Sequence, residues 1–235
     1  MGPGSLVKAF ILCGGFGTRL RTVIGESQKA VAEVAGKPFL EFVVGALVRA
    51  GLTDLVFCTH YQSEQVEQVV AHLGGDPRLR LEVVREPEPL GTGGAVVHAM
   101  RSLGYQGRLL ALNADTYLDA QAYRAAAQAE PPSMLVTRVD DCMRYGAVQV
   151  DASMHVTNLQ EKGTQGPGLI SAGVYSLDSD TLGGFAPGQL SMEKDVLPKL
   201  VSSHRLRAVV YAGPFVDIGT PESLRSMRAM GIQGP

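Results

Sequence analysis

The sequence predicts an α/β fold: a doubly wound, mostly parallel sheet, with a smaller β-hairpin lobe in the second half. Three observations carry this expectation. Through the first half, short apolar runs alternate with helix-period segments across short links, the pattern of a parallel sheet covered on both faces. The second half changes to strand runs, with a turn at Asp151-Ala152-Ser153 that predicts a hairpin. No internal repeat, and no hexapeptide array that would build a β-helix, interrupts either half.

Residues 7–13 form a short apolar run, read as a buried strand. Residues 38–50 place Phe39, Phe42, Val43, Leu47 and Val48 at helical spacing, with Pro38 suited to the first turn and Gly51 ending it. Then come a strand at 55–59, a helix at 63–73 closed by Gly74-Gly75, a strand at 81–85 and a helix at about 93–103. A strand at 108–112 runs into Asn113-Ala114-Asp115. The second half reads as strands at 134–139, 146–150, 155–159, 170–176 and 206–211, with helices at 192–202 and 221–230. Ligands are expected at the carboxyl ends of the strands.

At 235 residues the chain fits one large unit, 6–235, after a vector-like Met1–Ser5. A net charge of −2 argues against a nucleic-acid binder, so affinity for anions must come from locally placed cations. No apolar run reaches membrane-span length, and no signal-peptide pattern opens the sequence. The three cysteines (Cys13, Cys58, Cys142) are scattered and imply neither a disulfide framework nor a zinc site, which points to a reducing cytoplasm.

The functional signal is concentrated in Leu12-Cys13-Gly14-Gly15-Phe16-Gly17-Thr18-Arg19-Leu20. A strand that breaks into three glycines within four residues leaves bare backbone N–H groups able to approach a ligand closely. With Arg19, Arg21 and Lys29 nearby, such a loop can trap a polyphosphate, here read as a nucleoside triphosphate. Two other phosphate loops do not match. The dinucleotide fingerprint needs glycine where Leu20 stands, and the P-loop needs Gly-Lys-Ser/Thr where Gly17-Thr18-Arg19 stands. Asp115 and Asp217 are each compatible with a helix cap, but as two carboxylates at strand ends facing a phosphate loop they could jointly hold magnesium. The five histidines show no metal spacing and are read as structural or surface residues.

The order Gly-Gly-x-Gly-Thr-Arg-Leu resembles the signature loop of the sugar-1-phosphate nucleotidyltransferases. The resemblance continues through Glu88-Pro89-Leu90-Gly91-Thr92-Gly93-Gly94, Asn113-Ala114-Asp115, Glu161-Lys162-Gly163 and Asp217-Ile218-Gly219-Thr220-Pro221, spanning residues 7 to about 230. It implies a Rossmann-like nucleotidyltransferase fold, with 6–118 binding nucleotide and 119–235 binding sugar phosphate. It also implies nucleotide contacts at Leu12, Gly14, Gly15, Gly17, Thr18, Arg19, Glu86, Leu90, Gly91, Thr92 and Asn113. Sugar contacts are implied at Gly146, Glu161, Lys162, Ser171 and Glu193, magnesium ligands at Asp115 and Asp217, and catalytic cations at Arg19, Lys29 and Lys162. Glu86 favours GTP, because an acceptor-only carboxylate suits guanine's adjacent N–H donors.

Gly36-Lys37-Pro38-Phe39-Leu40-Glu41, Ser191-Met192-Glu193-Lys194-Asp195 and Asp217-Ile218-Gly219-Thr220-Pro221-Glu222 look most like heptose 1-phosphate guanylyltransferases. Mannose-1-phosphate guanylyltransferases and short uridylyltransferases come next, and a role in surface-polysaccharide precursor synthesis, with a homodimeric state, is the corresponding expectation. Relatives usually carry Pro-Lys-Pro where this chain has Gln28-Lys29-Ala30, which predicts a looser loop that closes on substrate. Relatives also often carry glycine at Ala114. A non-catalytic nucleotide-sugar sensor and a glycosyltransferase stay as alternatives. The retained charges oppose the first, and the absence of an Asp-x-Asp motif at 113–115 opposes the second.

Overall fold

The computed structural model describes residues 7–160 and 162–229, apart from the side chains of Arg19 and Arg21. Strand β1 (Lys8–Leu12) leads into the glycine loop, a 3-10 turn at Thr18–Leu20, helix α1 (Arg21–Ile24) and a second 3-10 turn at Lys29–Val31. Strands β2 (Glu33–Val34) and β3 (Lys37–Pro38) pair as a small hairpin. Helix α2 (Phe39–Arg49), strand β4 (Asp54–Thr59), helix α3 (Ser63–Leu73), strand β5 (Arg80–Arg85), helix α4 (Gly91–Ser102) and strand β6 (Arg108–Asn113) complete the alternating half. Strand β7 (Thr116–Leu118), helix α5 (Ala120–Gln128), and strands β8 (Ser133–Val139), β9 (Val148–Val150), β10 (Val156–Leu159) and β11 (Gly168–Asp178) follow. The described chain closes with helix α6 (Ser179–Gly183), a π-turn at Met192–Val196, helix α7 (Leu197–Ser202), strands β12 (Arg207–Tyr211) and β13 (Phe215–Asp217), and helix α8 (Pro221–Ala229).

Among the described residues nine strands make the main sheet, in the order β10-β9-β11-β6-β1-β4-β5, with β8 on β11 and β12 on β8. The block β6-β1-β4-β5 is parallel, whereas β11 runs antiparallel to both β6 and β8. Side chains alternate between the faces, as strand geometry requires. Ala9, Ile11, Leu55, Phe57, Leu110 and Leu112 pack with α2 and α3 on one side. Phe10, Val56, Cys58, Leu109 and Ala111 pack with α4 and α7 on the other. Two buried layers therefore clamp one sheet, which is why the strands of the parallel block read as unbroken apolar runs.

Helix α5 escaped the sequence reading because its Ala-rich run, Ala-Gln-Ala-Tyr-Arg-Ala-Ala-Ala-Gln, has few large apolar residues to show a period. Its N-cap is Asp119, which accepts the backbone N–H groups of Gln121 (2.8 Å) and Ala122 (3.1 Å). Asp115 is thereby relieved of the capping role that position alone had allowed. Also unforeseen are the β2–β3 hairpin and the antiparallel pairing of β7 with β13, which sets Asp217 opposite Thr116. Among the described residues no helix is long and apolar enough to cross a membrane.

Candidate active site

Two cavities meet over the carboxyl ends of β1 and β6. The first, about 310 Å3, is walled by Leu12, Gly14, Gly15, Phe16, Gln28, Lys29, His60, Glu86, Gly91, Thr92, Asn113 and Asp115, among others. The second, about 420 Å3, is walled by Asn113, Asp115, Arg144, Gly146, Lys162, Ser171, Glu193, Lys194 and Asp217, among others. Asn113 and Asp115 belong to both walls.

The glycine loop earns its glycines at two points. A Cβ on Gly14 would lie 2.8 Å from Glu86 Oε1, so the loop passes against the carboxylate only because no side chain intervenes. Gly17 has φ +57°, and a Cβ there would come within 3.3 Å of Lys29 Cβ. Gly15 faces open space. Gly17 and Thr18 shape the turn rather than the wall: Leu20 N–H bonds to the Gly17 carbonyl at 2.9 Å, and neither residue is in the cavity lining. The Arg19 side chain, to which the sequence assigned a catalytic role, lies outside the described residues.

Glu86 directly follows β5 and is buried, 6% exposed. Its Oε2 accepts the Leu90 N–H at 2.9 Å, closing the Pro-rich loop on itself. Leu90 thus serves the loop's shape and does not line the cavity. Burial pushes the Glu86 carboxyl up, and the Leu90 bond, then His60 and His98, oppose that. His60, read from sequence as structural or surface, stands in the cavity wall with Nδ1 3.4 Å from the Glu86 carbonyl. Phe16, 46% exposed, sets its ring edge-on to His60 and tilted against Tyr61. Cys13 and Cys58 are fully buried thiols raised above their ordinary value chiefly by burial, so neither is a nucleophile here.

Gly91, Gly93 and Gly94 open α4 against a neighbouring segment. The N–H groups of Gly93 and Gly94 both donate to the Leu190 carbonyl at 2.9 Å, and a Cβ on Gly94 would sit 2.4 Å from the Gly188 carbonyl oxygen. These amides are spent on packing the 188–190 segment. Thr92 then bridges the cavities: its hydroxyl donates to Glu193 Oε2 (2.9 Å) and accepts the Met192 N–H (2.9 Å).

On the second side, Lys162, Gly146, Ser171 and Glu193 share one cavity although they come from four separate stretches. Strand β11 carries an irregularity between Ser171 and Tyr175, the kind of bulge that re-aims side chains beside a site. Within it Gly173 takes φ +71°, where a Cβ would strike Asn113 Nδ2 at 2.7 Å. The Ser171 hydroxyl lies 3.2 Å from Tyr175 Oη and accepts the Gly173 N–H. Glu161, to which sugar contact was assigned, lies outside the described residues. Arg144 and Lys194 join this wall without having been singled out as site residues. Arg144 stands two residues before Gly146 and Lys194 directly after Glu193, both read from sequence as sugar contacts, but a single cation carries no periodic signal.

The two acids do meet. Strand pairing of β13 with β7, and the Ile218 N–H bond to the Asp115 carbonyl (3.0 Å), draw them together. Lys29 Nζ sits 2.5 Å from Asp115 Oδ2 and 3.6 Å from Asp217 Oδ1. Two carboxylates converging on one positive point are a donor set that fits a hard divalent cation completed by substrate phosphates and water. Among the described residues no group of three or more His, Cys, Asp or Glu gathers in the manner of a self-sufficient metal cage.

The looser-loop expectation at 28–30 is corrected. Gln28 is 2% exposed, its side-chain amide donates to the Cys13 carbonyl, and its carbonyl oxygen accepts the Ala30 N–H. Hydrogen bonds pin the segment in place of rings.

A nucleotidyl transferase family model matches residues 8–231. The chain belongs to the nucleotidyl transferase family. This transferase is 31% identical over 218 residues to a D-glycero-α-D-manno-heptose 1-phosphate guanylyltransferase of Campylobacter jejuni, covering 92% of this chain and 96% of that one. It is also 31% identical to a mannose-1-phosphate guanyltransferase of Schizosaccharomyces pombe, covering 92% of this chain but only 62% of that protein. Among solved structures, HddC from Yersinia pseudotuberculosis complexed with GMP-PN superposes on the transferase with a TM-score of 0.82 at 31% identity, covering 95% of this chain and 98% of that one.

Proposed function

We propose that this chain transfers the guanylyl group of GTP to a sugar 1-phosphate, releasing pyrophosphate, with D-glycero-α-D-manno-heptose 1-phosphate as the acceptor. The observation that carries the reading is the pair of cavities sharing Asn113 and Asp115, which gives two phosphorylated substrates a common meeting edge. GTP is supported by the Campylobacter relative and by the neighbour that holds GMP-PN, and the heptose by the match in length to that relative. Mannose 1-phosphate is the second reading, supported by the yeast relative, of which this chain spans 62%. In this proposal 6–118 serves the nucleotide and 119–235 the sugar phosphate, within one catalytic unit working in the cytoplasm on surface-polysaccharide precursors.

A phosphate oxygen of the acceptor would attack the α-phosphorus of GTP. One P–O bond forms, the bond from the α-phosphorus to the bridging oxygen breaks, and the electron pair leaves with pyrophosphate. A phosphate monoester has a second pKa of about 6, so it arrives largely dianionic and needs no general base. The protein's work is to bring two anions into line and to answer the charge that moves onto the leaving group. Lys162, Arg144 and Lys194 line the cavity read as the acceptor's, and Lys29 lines the one read as the nucleotide's. Asp115 and Asp217 would hold Mg2+, which when bound supplies positive charge to phosphate oxygens.

The test is incubation of the purified chain with GTP and Mg2+ beside a panel of sugar 1-phosphates, reading pyrophosphate release and product mass. GDP-heptose is the expected product. Pyrophosphate released without any acceptor, and with no nucleotide-sugar product, would end the transferase reading. Equal rates with UTP would end the choice of GTP.

A further inference from the structure

Gln28 does something no apolar residue could do at its place. A buried primary amide is costly unless both of its ends are paired. Here Nε2 donates to the carbonyl of Cys13, where β1 turns into the glycine loop. Oε1 accepts the N–H of Ala30, so the same side chain caps the turn that begins at Lys29. The Gln28 backbone N–H donates to Gln65 Oε1, on α3, at 2.8 Å. One residue therefore fastens the phosphate loop, the Lys29 turn and a core helix to each other. Its φ of −65° and ψ of 136° are unstrained, so the hydrogen bonds hold a conformation the backbone already favours.

What hangs from this joint is the cation of the site. Lys29 is the next residue, and its ammonium bridges toward Asp115 and Asp217. Its Cβ also lies 3.3 Å from the point a Gly17 Cβ would occupy, so the turn passes close against the glycine loop. We propose that Gln28 is a positioning residue: its amide fixes the Lys29 turn relative to the glycine loop, and so sets the Lys29 ammonium at the junction of the two cavities. This rests on the reading of that junction as the nucleotidyl-transfer site.

The first test needs no turnover. Lysines are acetylated with an N-hydroxysuccinimide ester, and labelling rates are mapped by peptide mass in the wild type and in Gln28→Met, which keeps the volume and removes both amide bonds. Lys29, with a side chain 11% exposed, is expected to label slowly in the wild type. Lys8, 15% exposed and paired with Asp54 and Glu82 at the far end of β1, is the internal reference. The Lys29-to-Lys8 labelling ratio is expected to rise several-fold in the variant. An unchanged ratio, or both lysines rising together, overturns the proposal. Should Gln28→Met lose its cooperative melt, Gln28→Glu carries the same ratio, since it keeps the acceptor for Ala30 and sets an oxygen against the Cys13 carbonyl.

The second test is a double-mutant cycle with Lys29→Met on pyrophosphate release. Gln28→Met alone should lower kcat by about 10²-fold, the scale of a small misplacement at a reacting centre, and should add no further loss when Lys29 is already methionine. Losses that multiply overturn the proposal. An inactive wild type would strike the transferase reading, while the labelling ratio still judges Gln28.

Discussion

The two cavities are built in opposite ways. The wall read as the nucleotide's comes mainly from short stretches in loops that leave parallel strands: Leu12 and Gly14 to Phe16 after β1, 28–30 in the turn, and Glu86, Pro89, Gly91 and Thr92 after β5. The wall read as the acceptor's is assembled from 144–148, Leu159, Gln160 and Lys162, Ser171 to Gly173 with Tyr175, Ser191, Glu193, Lys194 and Leu197, and Phe215 with Asp217, carried by antiparallel strands, a bulge and a π-turn. A parallel block delivers its loops to one edge by topology alone. An antiparallel lobe must aim each side chain separately. On the proposed reading, the first wall is set by topology, and the second is where small sequence changes would alter which sugar fits.

Asp115 is the sharpest place to break this contrast, since it belongs to both walls. Asp115→Asn keeps its shape and removes its charge, and is expected to lower kcat by about 10³-fold, the upper scale for removing one preorganised electrostatic group. Pyrophosphate release at saturating concentrations of both substrates measures it. A change confined to the KM of one substrate, with kcat intact, would mean the cavities do not share a reacting point.

Lys162→Ala sharpens the contrast from the acceptor side. It should raise the KM for sugar phosphate and lower kcat, with a combined loss of about 10²-fold, and leave the KM for GTP near its wild-type value. Initial rates with each substrate varied in turn decide this. An equal rise in both KM values would deny the separation of the walls.

Much of the first wall was legible because its chemistry is written in nearby letters: Gly14 and Gly15 in one loop, Glu86, Gly91 and Thr92 in another. Strand alternation made the sheet legible for the same local reason. What stayed hidden depends on long-range pairing. Asp115 and Asp217 could be named, but nothing local shows that a three-residue strand at Thr116–Leu118 pairs with another at Phe215–Asp217 to bring them together. Gln28 looked like the loss of a restraint, because a proline's fixed φ can be read from sequence and the partners of an amide cannot. His60 carried no spacing signal, and only the fold places its ring against the Glu86 loop.

Glu86 offers a smaller test, on the nucleotide side. One oxygen is engaged by the Leu90 N–H, yet a carboxylate offers about four lone-pair directions, so it can still accept from guanine. Glu86→Gln exchanges one acceptor for a donor that opposes guanine's own donors. The ratio of kcat/KM for GTP over UTP should fall by about tenfold or more, as expected for one hydrogen bond to a charged group. An unchanged ratio would place base selection elsewhere in that wall, with Phe16 and His60 the next residues to vary.

The same substitution has a stability signature, the smallest of these effects. Burial raises the folded-state pKa of Glu86 above its unfolded value, against the opposing pull of the Leu90 bond and of His60 and His98. A carboxyl shifted upward favours folding fully only while it is protonated in both states, below the unfolded pKa. That contribution drains away as pH rises through the folded pKa, because the unfolded chain ionises more readily than the native one. Glutamine carries no such charge and can still accept the Leu90 N–H. Glu86→Gln should therefore melt at a higher temperature than the wild type at pH 7.5, and the gap should close toward pH 4, where the native glutamate is neutral too. Thermal unfolding at the two pH values measures it. A gap of constant size would assign the difference to packing, and the ionised carboxylate would then carry no stability cost that base recognition has to offset.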